Sequence, residues 1–214
     1  MRKDAVRSQQ RILAAARELF AQRGLAASLN DIAHHAGVGV GTVYRHFPDR
    51  DQLIETLFEE RIDQVEAVLR SALEDRDPWH GLTGFLERSL ELQAANRGLQ
   101  QLLLGAAGGL ERIARARARL EPLELEVVRR AHDARLLRAD VGSQDLRILQ
   151  LMLAPVVDLS GSGAPDLWRR YLALLLEALR ATPGPAEPLP IAPPPLEQVD
   201  RMMVAVWRPA AGRR

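Results

Sequence analysis

The sequence predicts an all-α protein with a small N-terminal domain, a larger C-terminal helical bundle and a Pro-rich tail. Apolar residues recur at intervals of three and four along most of the 214 residues, the spacing of a helix with one buried face. Runs of β-branched and aromatic residues alternating with polar ones, typical of strands, are almost absent. Eight of the thirteen prolines lie between Pro183 and Pro209, where the helical pattern ends. The three predicted parts are residues 1–50, 51–181 and 182–214.

The N-terminal part contains three short helices whose ends are marked by characteristic residues. Gly24 and Gly37 are suited to C-terminal caps, Ser28 and Asp31 to an N-terminal capping interaction, and Pro48 to closing a helix. The predicted helices span residues 6–23, 29–36 and 40–47. They are too short to be stable alone, so each must pack against the others.

The C-terminal part begins with a long helix that joins the two domains. Asp49 caps this helix, with Gln52 at the capping-box position, and Asp77 followed by Pro78 starts the next one. A basic helix that is kinked or restarted at Pro122 precedes two strongly apolar helices. The predicted ranges are residues 50–75, 78–92, 99–104, 110–139, 143–159 and 165–181. In the tail, residues 196–207 are predicted to form a short amphipathic turn or two.

The composition excludes several kinds of chemistry. Because the chain has no cysteine, it has no disulfide, no cysteine nucleophile and no metal site built on thiolates. No apolar run approaches the roughly 20 residues that cross a bilayer, and the N-terminus lacks the apolar core of a signal peptide. We therefore expect a cytoplasmic protein.

Charge is distributed unevenly along the chain. Residues 1–50 carry eight Lys or Arg against four Asp or Glu, a net charge of +4, whereas the whole chain carries +1. The remaining residues are therefore mildly acidic. This asymmetry is expected if the N-terminal end meets a polyanion and the other end does not.

The second and third helices, with Gly37 between them, have the arrangement of a helix-turn-helix, whose second helix lies in the major groove of DNA. The segment from Gly37 to Thr42 places small residues where bulk would keep the backbone from the base edges. Tyr44, Arg45 and His46 follow and supply donors of the kind that phosphates require. The pattern predicts a DNA-binding domain.

Residues 9–54 resemble the DNA-binding region of the TetR family of bacterial transcriptional regulators. The resemblance lies in the segments from Ser28 to Ala33 and from Ala36 to Leu53, and in the first helix with its Ala-Ala-Arg-Glu-Leu-Phe sequence. It implies a homodimeric repressor that binds double-stranded operator DNA. A variable C-terminal domain would bind a small-molecule inducer and pair with a second subunit through its last two long helices.

The resemblance assigns eight residues to the DNA contact. Arg50 stands where Lys is usual in the family, which preserves the charge and allows a bidentate phosphate contact. Gly39 and Gly41 flank Val40 and leave few side chains to hydrogen-bond with bases, so DNA shape is expected to contribute. The expected phosphate contacts are Ser28, Tyr44, His46 and Arg50, and the expected base contacts are Gly39, Val40, Thr42 and Arg45.

The resemblance also implies an inducer pocket among the C-terminal helices. A pocket and a filled core look alike in sequence, so core packing is the alternative role for each residue. The lack of charge pointing inward favours an apolar or neutral inducer. The residues expected around the pocket are Trp79, Phe85, Leu86, Leu102, Leu103, Leu123, Val127, Met152 and Val156.

The two helices predicted at residues 143–159 and 165–181 are more apolar than the core of one subunit requires. Two such helices from each subunit would form a four-helix interface about a two-fold axis. The expected interface residues are Leu146, Leu149, Leu153, Val157, Leu167, Tyr171, Leu174, Leu175 and Ala178.

Other functions stay open on the sequence alone. An all-α enzyme needs a convergent acid, base or metal set, and none is visible, so we predict no catalytic residue, metal or cofactor. A helical interaction protein would use the Pro-rich tail as a ligand for a partner.

Some single residues also have alternative roles. Tyr44 could be an aromatic residue of the core and not a DNA contact. The arginines from Arg112 to Arg130 are expected to pair with glutamates of their own helix, with a second nucleic-acid surface or an acidic-ligand site as the alternative.

Overall fold

The computed structural model describes residues 2–23, 26–95, 109–160, 163–182, 184 and 187–207. In these residues the secondary structure is helical, with one isolated β-bridge between Leu137 and Arg180, which confirms the all-α prediction. The helices are α1 (Arg2–Arg23), α2 (Leu29–Ala36), α3 (Val40–His46), α4 (Arg50–Glu74), α5 (Pro78–Ala95), α6 (Gly109–Asp133), α7 (Ser143–Ser160), α8 (Leu167–Leu179) and α9 (Leu196–Trp207).

Helices α1, α2 and α3 pack around a small apolar core. Ile12 and Phe20 of α1, Ile32 of α2 and Val43 of α3 are all completely buried there. Because α2 and α3 have only eight and seven residues, their stability depends on this packing.

Helix α4 connects the two domains. It is continuous over 25 residues and belongs to a hydrophobic core that extends from α1 into the C-terminal helices. Arg17 of α1 also forms an ion pair with Glu60 of α4. The predicted domain boundary at residue 50 therefore falls at the start of a helix that both domains share.

Helix α5 crosses α4 at a close approach of the two backbones. A Cβ atom on Gly81 would lie 2.4 Å from the carbonyl oxygen of Ala72, a distance that packed atoms do not adopt. The start of α5 is fixed by Asp77, whose Oδ1 accepts hydrogen bonds from the backbone N–H groups of Trp79 at 2.9 Å and His80 at 3.3 Å. Glycine at position 81 therefore sets how closely α4 and α5 pack.

The C-terminal segment is part of the domain and not a separate tail. Helix α9 packs against α6 and α7, where Val199 has no exposed surface and Asp200 is 3% exposed. The segment before it is tethered by a hydrogen bond from the Leu189 N–H to Asp140 Oδ2 at 3.1 Å. The prediction of a turn or two in a tail is corrected by this tertiary packing, which no local pattern encodes.

Most helix boundaries agree with the predictions, with three differences. Helix α1 already begins at Arg2, and α6 ends at Asp133, shortly before Arg135 adopts a positive φ of 58°. Helix α6 continues through Pro122 without a restart. The helix predicted at residues 99–104 lies outside the described residues.

Candidate DNA-binding and ligand-binding sites

The turn between α2 and α3 is fixed by Gly37 and Arg11. Gly37 has φ 62° and ψ 40°, the left-handed conformation that glycine adopts without strain. Its N–H donates to the His34 carbonyl oxygen at 3.1 Å. Nη2 of Arg11, in α1, donates to the carbonyl oxygens of Ala36 at 2.5 Å and Gly37 at 3.1 Å. Helix α1 thus holds the turn that sets the direction of α3.

The start of α2 carries the capping box that the sequence predicts. Ser28 Oγ accepts a hydrogen bond from the Asp31 N–H at 3.1 Å, and Asp31 Oδ2 accepts one from the Ser28 N–H at 2.9 Å. Hydrogen bonds from the Ser28 hydroxyl and backbone hold the pKa of Asp31 below its usual value. Ser28 is thereby fixed on the exposed surface at the N-terminus of α2.

Helix α3 has one buried and one exposed face. Val43 and Phe47 are 0% and 2% exposed and orient the helix against the core. Val40 and Tyr44, on the other side, are 45% and 46% exposed. Tyr44 is therefore not a core aromatic, and its hydroxyl is free to meet a molecule outside the protein.

The exposed face of α3 also carries small and polar groups. A Cβ atom on Gly41 would meet no atom within 4 Å, and one on Gly39 would meet only Thr42 Oγ1, at 3.8 Å. Packing inside the described protein therefore does not require glycine at either position. Arg45 is exposed and donates from Nη2 to Thr42 Oγ1 at 3.2 Å. The surface allows close approach of its backbone and offers hydrogen-bonding groups beside it.

Arg50 and His46 lie where α3 ends and α4 begins. The guanidinium carbon of Arg50 is 5.5 Å from the centroid of the Phe20 ring. Among the described residues, Arg50 Nε and Nη2 have no hydrogen-bond partner. His46 is half-buried beside the Phe47 ring. All eight predicted DNA contacts thus lie on or next to the helix-turn-helix, and their contact with DNA stays a prediction.

The C-terminal domain contains a partly open cavity of about 180 Å³. Side chains from α4, α5, α6, α7 and α9 line it, so the cavity lies between the helices of this domain. Much of the wall is apolar, with contributions from Phe58, Ile62, Phe85, Ile113, Leu120 and Met203. A space of this size is close to the roughly 150 Å³ engineered apolar cavity that binds benzene.

Five of the described residues that line the cavity are ionisable: Arg61, Arg117, Glu124, Arg147 and Asp200. Arg147 donates to Glu124 Oε2 from Nε at 2.9 Å and from Nη2 at 2.6 Å. Asp200 lies 3.4 Å from Arg117 Nη1 and 3.7 Å from Arg147 Nη1. Burial raises the pKa of Asp200, and the two arginines oppose this shift. The premise that no charge points inward is therefore wrong, and the expectation of an apolar or neutral inducer loses its support.

Phe85 is the one described residue of the predicted pocket that lines this cavity. The other described residues of that prediction are not among those that line it, and their role in binding an inducer stays a prediction. Trp79, Leu86 and Val127 pack in the core, Leu123 and Val156 are partly buried against it, and Met152 is 57% exposed. Leu102 and Leu103 lie outside the described residues. Helical spacing identifies a buried face, but it does not reveal where packing leaves a space.

Helices α7 and α8 expose an apolar face. Met152 of α7 is 57% exposed, and Leu167, Tyr171 and Leu174 of α8 are 38%, 43% and 57% exposed. Exposed apolar side chains on two helices that pack together are typical of a surface that binds a partner. We call these four residues, with the exposed Ala178, the α7–α8 face.

The predicted dimer residues divide between this face and the core. Leu167, Tyr171, Leu174 and Ala178 belong to the α7–α8 face. Leu149 and Leu175 are partly buried against the core. The interface prediction is wrong for three residues that pack in the chain's own core, each 2% exposed: Leu146, Leu153 and Val157. Core and interface positions share the same residue types, so composition does not separate them.

The arginines at the start of α6 pair mainly with α4. Arg112 Nε lies 3.1 Å from Glu55 Oε2, and Arg119 lies 2.5 Å from a carboxylate oxygen of Asp63 and of Glu66. We call these ion pairs of Arg112 and Arg119 with α4 the α4–α6 ladder. They correct the prediction that these arginines pair within their own helix. Because its charges are neutralised by α4, the α4–α6 ladder does not favour a second nucleic-acid surface.

Two further properties bear on function. Within the described ranges, no three potential metal-ligating side chains come together. None of the described helices is long and apolar enough to cross a membrane.

These features define a helix-turn-helix protein with a helical C-terminal domain. Residues 12–57 match the model of the family described as bacterial regulatory proteins, tetR family. An HTH-type transcriptional regulator of Staphylococcus aureus, strain bovine RF122 / ET3-1, is 48% identical over 54 residues, which cover 25% of this chain and 29% of that protein. The chain thus matches less than a third of the length of this curated relative.

Solved structures extend the similarity to the C-terminal domain. A TetR transcription regulatory protein from Mycobacterium vanbaalenii is 29% identical with a TM-score of 0.63, over 84% of this chain and 98% of that one. A TetR transcriptional regulator from Streptomyces coelicolor is 28% identical with a TM-score of 0.63, over 81% and 99% of the two chains. Residues 12–57 thus match the DNA-binding region of this family, and over most of its length the chain is similar to these two TetR regulators.

Proposed function

We propose that the protein is a homodimeric transcriptional repressor that binds a palindromic operator and is released from it by a small-molecule inducer. The observation that carries this proposal is the exposed face of α3, where Val40 and Tyr44 stand beside two glycines that internal packing does not require. This surface suits the major groove, which admits a helix and offers base edges to short side chains. The net positive charge of residues 1–50 favours contact with phosphates.

The α7–α8 face supports the homodimer. A palindromic operator presents two half-sites about 34–36 Å apart, and each requires its own recognition helix. A two-fold dimer supplies two such helices through one self-complementary interface. The α7–α8 face offers apolar side chains from two packed helices for this interface.

Helix α4 links the cavity to the DNA-binding domain, which supports the proposal that a ligand releases the protein from DNA. It begins beside the recognition helix, and Phe58, Arg61, Ile62 and Val65 of the same helix line the cavity. A ligand that binds better to one position of α4 shifts the population towards that position. Because α1 is paired to α4 through Arg17 and Glu60, such a shift changes the spacing of the two DNA-binding domains.

The location of the protein follows from this function as a further prediction. A repressor must reach the chromosome, so we expect it in the bacterial cytoplasm. The proposal includes no membrane partner.

Replacing Tyr44 with Phe is expected to weaken binding to all DNA sequences by about 30-fold. The change removes one hydroxyl per subunit, and two lost hydrogen bonds of about 1 kcal/mol each give this factor. The side chain is 46% exposed, so the fold should be unaffected. Fluorescence anisotropy with specific and unrelated duplexes measures the affinities.

The control is Ser71→Ala, which also removes one exposed hydroxyl. Ser71 lies near the end of α4 far from α3, so DNA affinity should stay unchanged. Thr42→Val is expected to change the preferred sequence more than the affinity for unrelated DNA. If Tyr44→Phe binds as the wild-type protein does, the placement of α3 against the phosphates is wrong.

A further inference from the structure

We propose that the cavity binds a monocarboxylate whose apolar body is about the size of one aromatic ring. The inference rests on the proposed function, since it names the ligand class of the same cavity. It draws on three properties of the cavity wall: an unpaired cation, a second unpartnered polar group and the available volume.

The charges on the cavity wall do not balance. Arg147 is paired with Glu124, and Arg117 lies beside Asp200. Among the described residues, no carboxylate pairs with Arg61, the remaining arginine. The described part of the wall therefore carries one positive charge in excess.

Arg61 is held where its charge is costly. Its Nη1 is buried and has no hydrogen-bond partner within the described part of the chain. Desolvation lowers the pKa of Arg61 to about 10, so the guanidinium is still protonated at neutral pH. A buried charge is strongly disfavoured unless it is paired and hydrogen-bonded. A ligand carboxylate supplies that partner, and its two oxygens match the geometry of a guanidinium.

A second polar group lines the same cavity. Ser89 is 8% exposed, and its Oγ is buried without a hydrogen-bond partner in the described residues. A hydroxyl is both donor and acceptor, so it can donate to a carboxylate oxygen. Arg61 on α4 and Ser89 on α5 thus offer donors from two walls.

The volume and the apolar wall limit the rest of the ligand. About 180 Å³ accommodates a body near the size of benzene, for which roughly 150 Å³ suffices. Phe58, Ile62 and Phe85 surround this space with apolar surface. A small inorganic anion would leave that surface unfilled, and an amine is disfavoured by the net positive charge of the described wall, although Asp200 also lines it.

Three probes of nearly equal shape test the charge preference: phenylacetate, its neutral amide phenylacetamide, and the amine phenethylamine. Each is titrated by calorimetry into the full-length protein at neutral pH, without DNA. We expect phenylacetate to bind at least tenfold more tightly than the amide, because hydrogen bonds to charged groups are the stronger ones. The amine should not bind. Equal affinity for acid and amide, or binding of none of the probes at millimolar concentration, would overturn the proposal.

Substitutions of Arg61 test whether this residue causes the preference for the acid over the amide. Arg61→Met should abolish the preference for the acid, whereas Arg61→Lys, which keeps the charge, should retain part of it. Arg70→Met is the matched control, since Arg70 lies on the same helix, is exposed and pairs with Glu66. A preference that survives in Arg61→Met would contradict the proposal. These outcomes leave the repressor function standing, because DNA binding is measured separately.

Discussion

Substituting Leu174 with Glu is expected to convert the dimer into monomers and to remove high-affinity operator binding. Leu174 is 57% exposed, so a charged residue there is tolerated in the monomer. In a two-fold interface each substitution acts twice, and every buried carboxylate without a partner costs free energy. We expect the dimer dissociation constant to rise at least 100-fold, which corresponds to about 3 kcal/mol. Sedimentation equilibrium over a range of protein concentrations measures this constant.

The control for this substitution is Leu125→Glu. Leu125 is 47% exposed on α6, outside the α7–α8 face. This variant should dimerise and bind DNA as the wild-type protein does. An unchanged dissociation constant in Leu174→Glu would show that the subunits meet elsewhere or not at all.

Substituting Gly81 with Ala should lower the free energy of unfolding by about 2 to 3 kcal/mol. The new Cβ atom would lie 2.4 Å from the Ala72 carbonyl oxygen, which belongs to backbone and cannot rotate away. Because the contacted atom is backbone, the overpacking should cost about 3–4 kcal/mol, at or above the upper end of the usual range, and the better helix propensity of alanine recovers up to about 1. In a protein of this size the melting temperature should fall by about 5–10 °C. Thermal unfolding followed by circular dichroism measures the change.

Gly84→Ala is the matched control, one turn further along α5. There the nearest atom is Arg88 Nη2 at 3.3 Å, at the end of a flexible side chain. This variant should be more stable than the wild type by about 0.5–1 kcal/mol, because glycine is unfavourable within a helix. If both variants gain stability, the close approach of α4 and α5 is not as described.

The helix-turn-helix could be predicted in detail because its boundaries are determined by local interactions. Ser28 and Asp31 cap α2 through side chains three residues apart, and Gly37 supplies the left-handed conformation that ends it. Asp49 likewise caps α4 by accepting a hydrogen bond from the Gln52 N–H at 2.8 Å. Such interactions are visible in a short stretch of sequence.

The C-terminal domain was less predictable because its features depend on distant contacts. Asp200 reaches the cavity only because α9 packs against α6 and α7, after a Pro-rich segment with no helical pattern of its own. Its partners Arg117 and Arg147 are 83 and 53 positions earlier in the chain. On its own helix each of these residues looks like an ordinary polar position.

The same limit applies to the division between core and interface. Leu153 and Leu174 are both leucines in apolar helices, yet they are 2% and 57% exposed. Only the packing of α7 and α8 against the rest of the chain separates them.

Selection of bound sequences from a random duplex library at two salt concentrations shows whether a dimer recognises a two-fold DNA site. We expect enrichment of a palindrome at both concentrations, with half-sites spaced for two successive major grooves. Tyr44→Phe should bind this palindrome less tightly, and Leu174→Glu should fail to enrich it. Weak binding that disappears with salt and enriches no sequence would contradict the dimeric repressor, since it would leave only nonspecific attraction between a basic domain and phosphates.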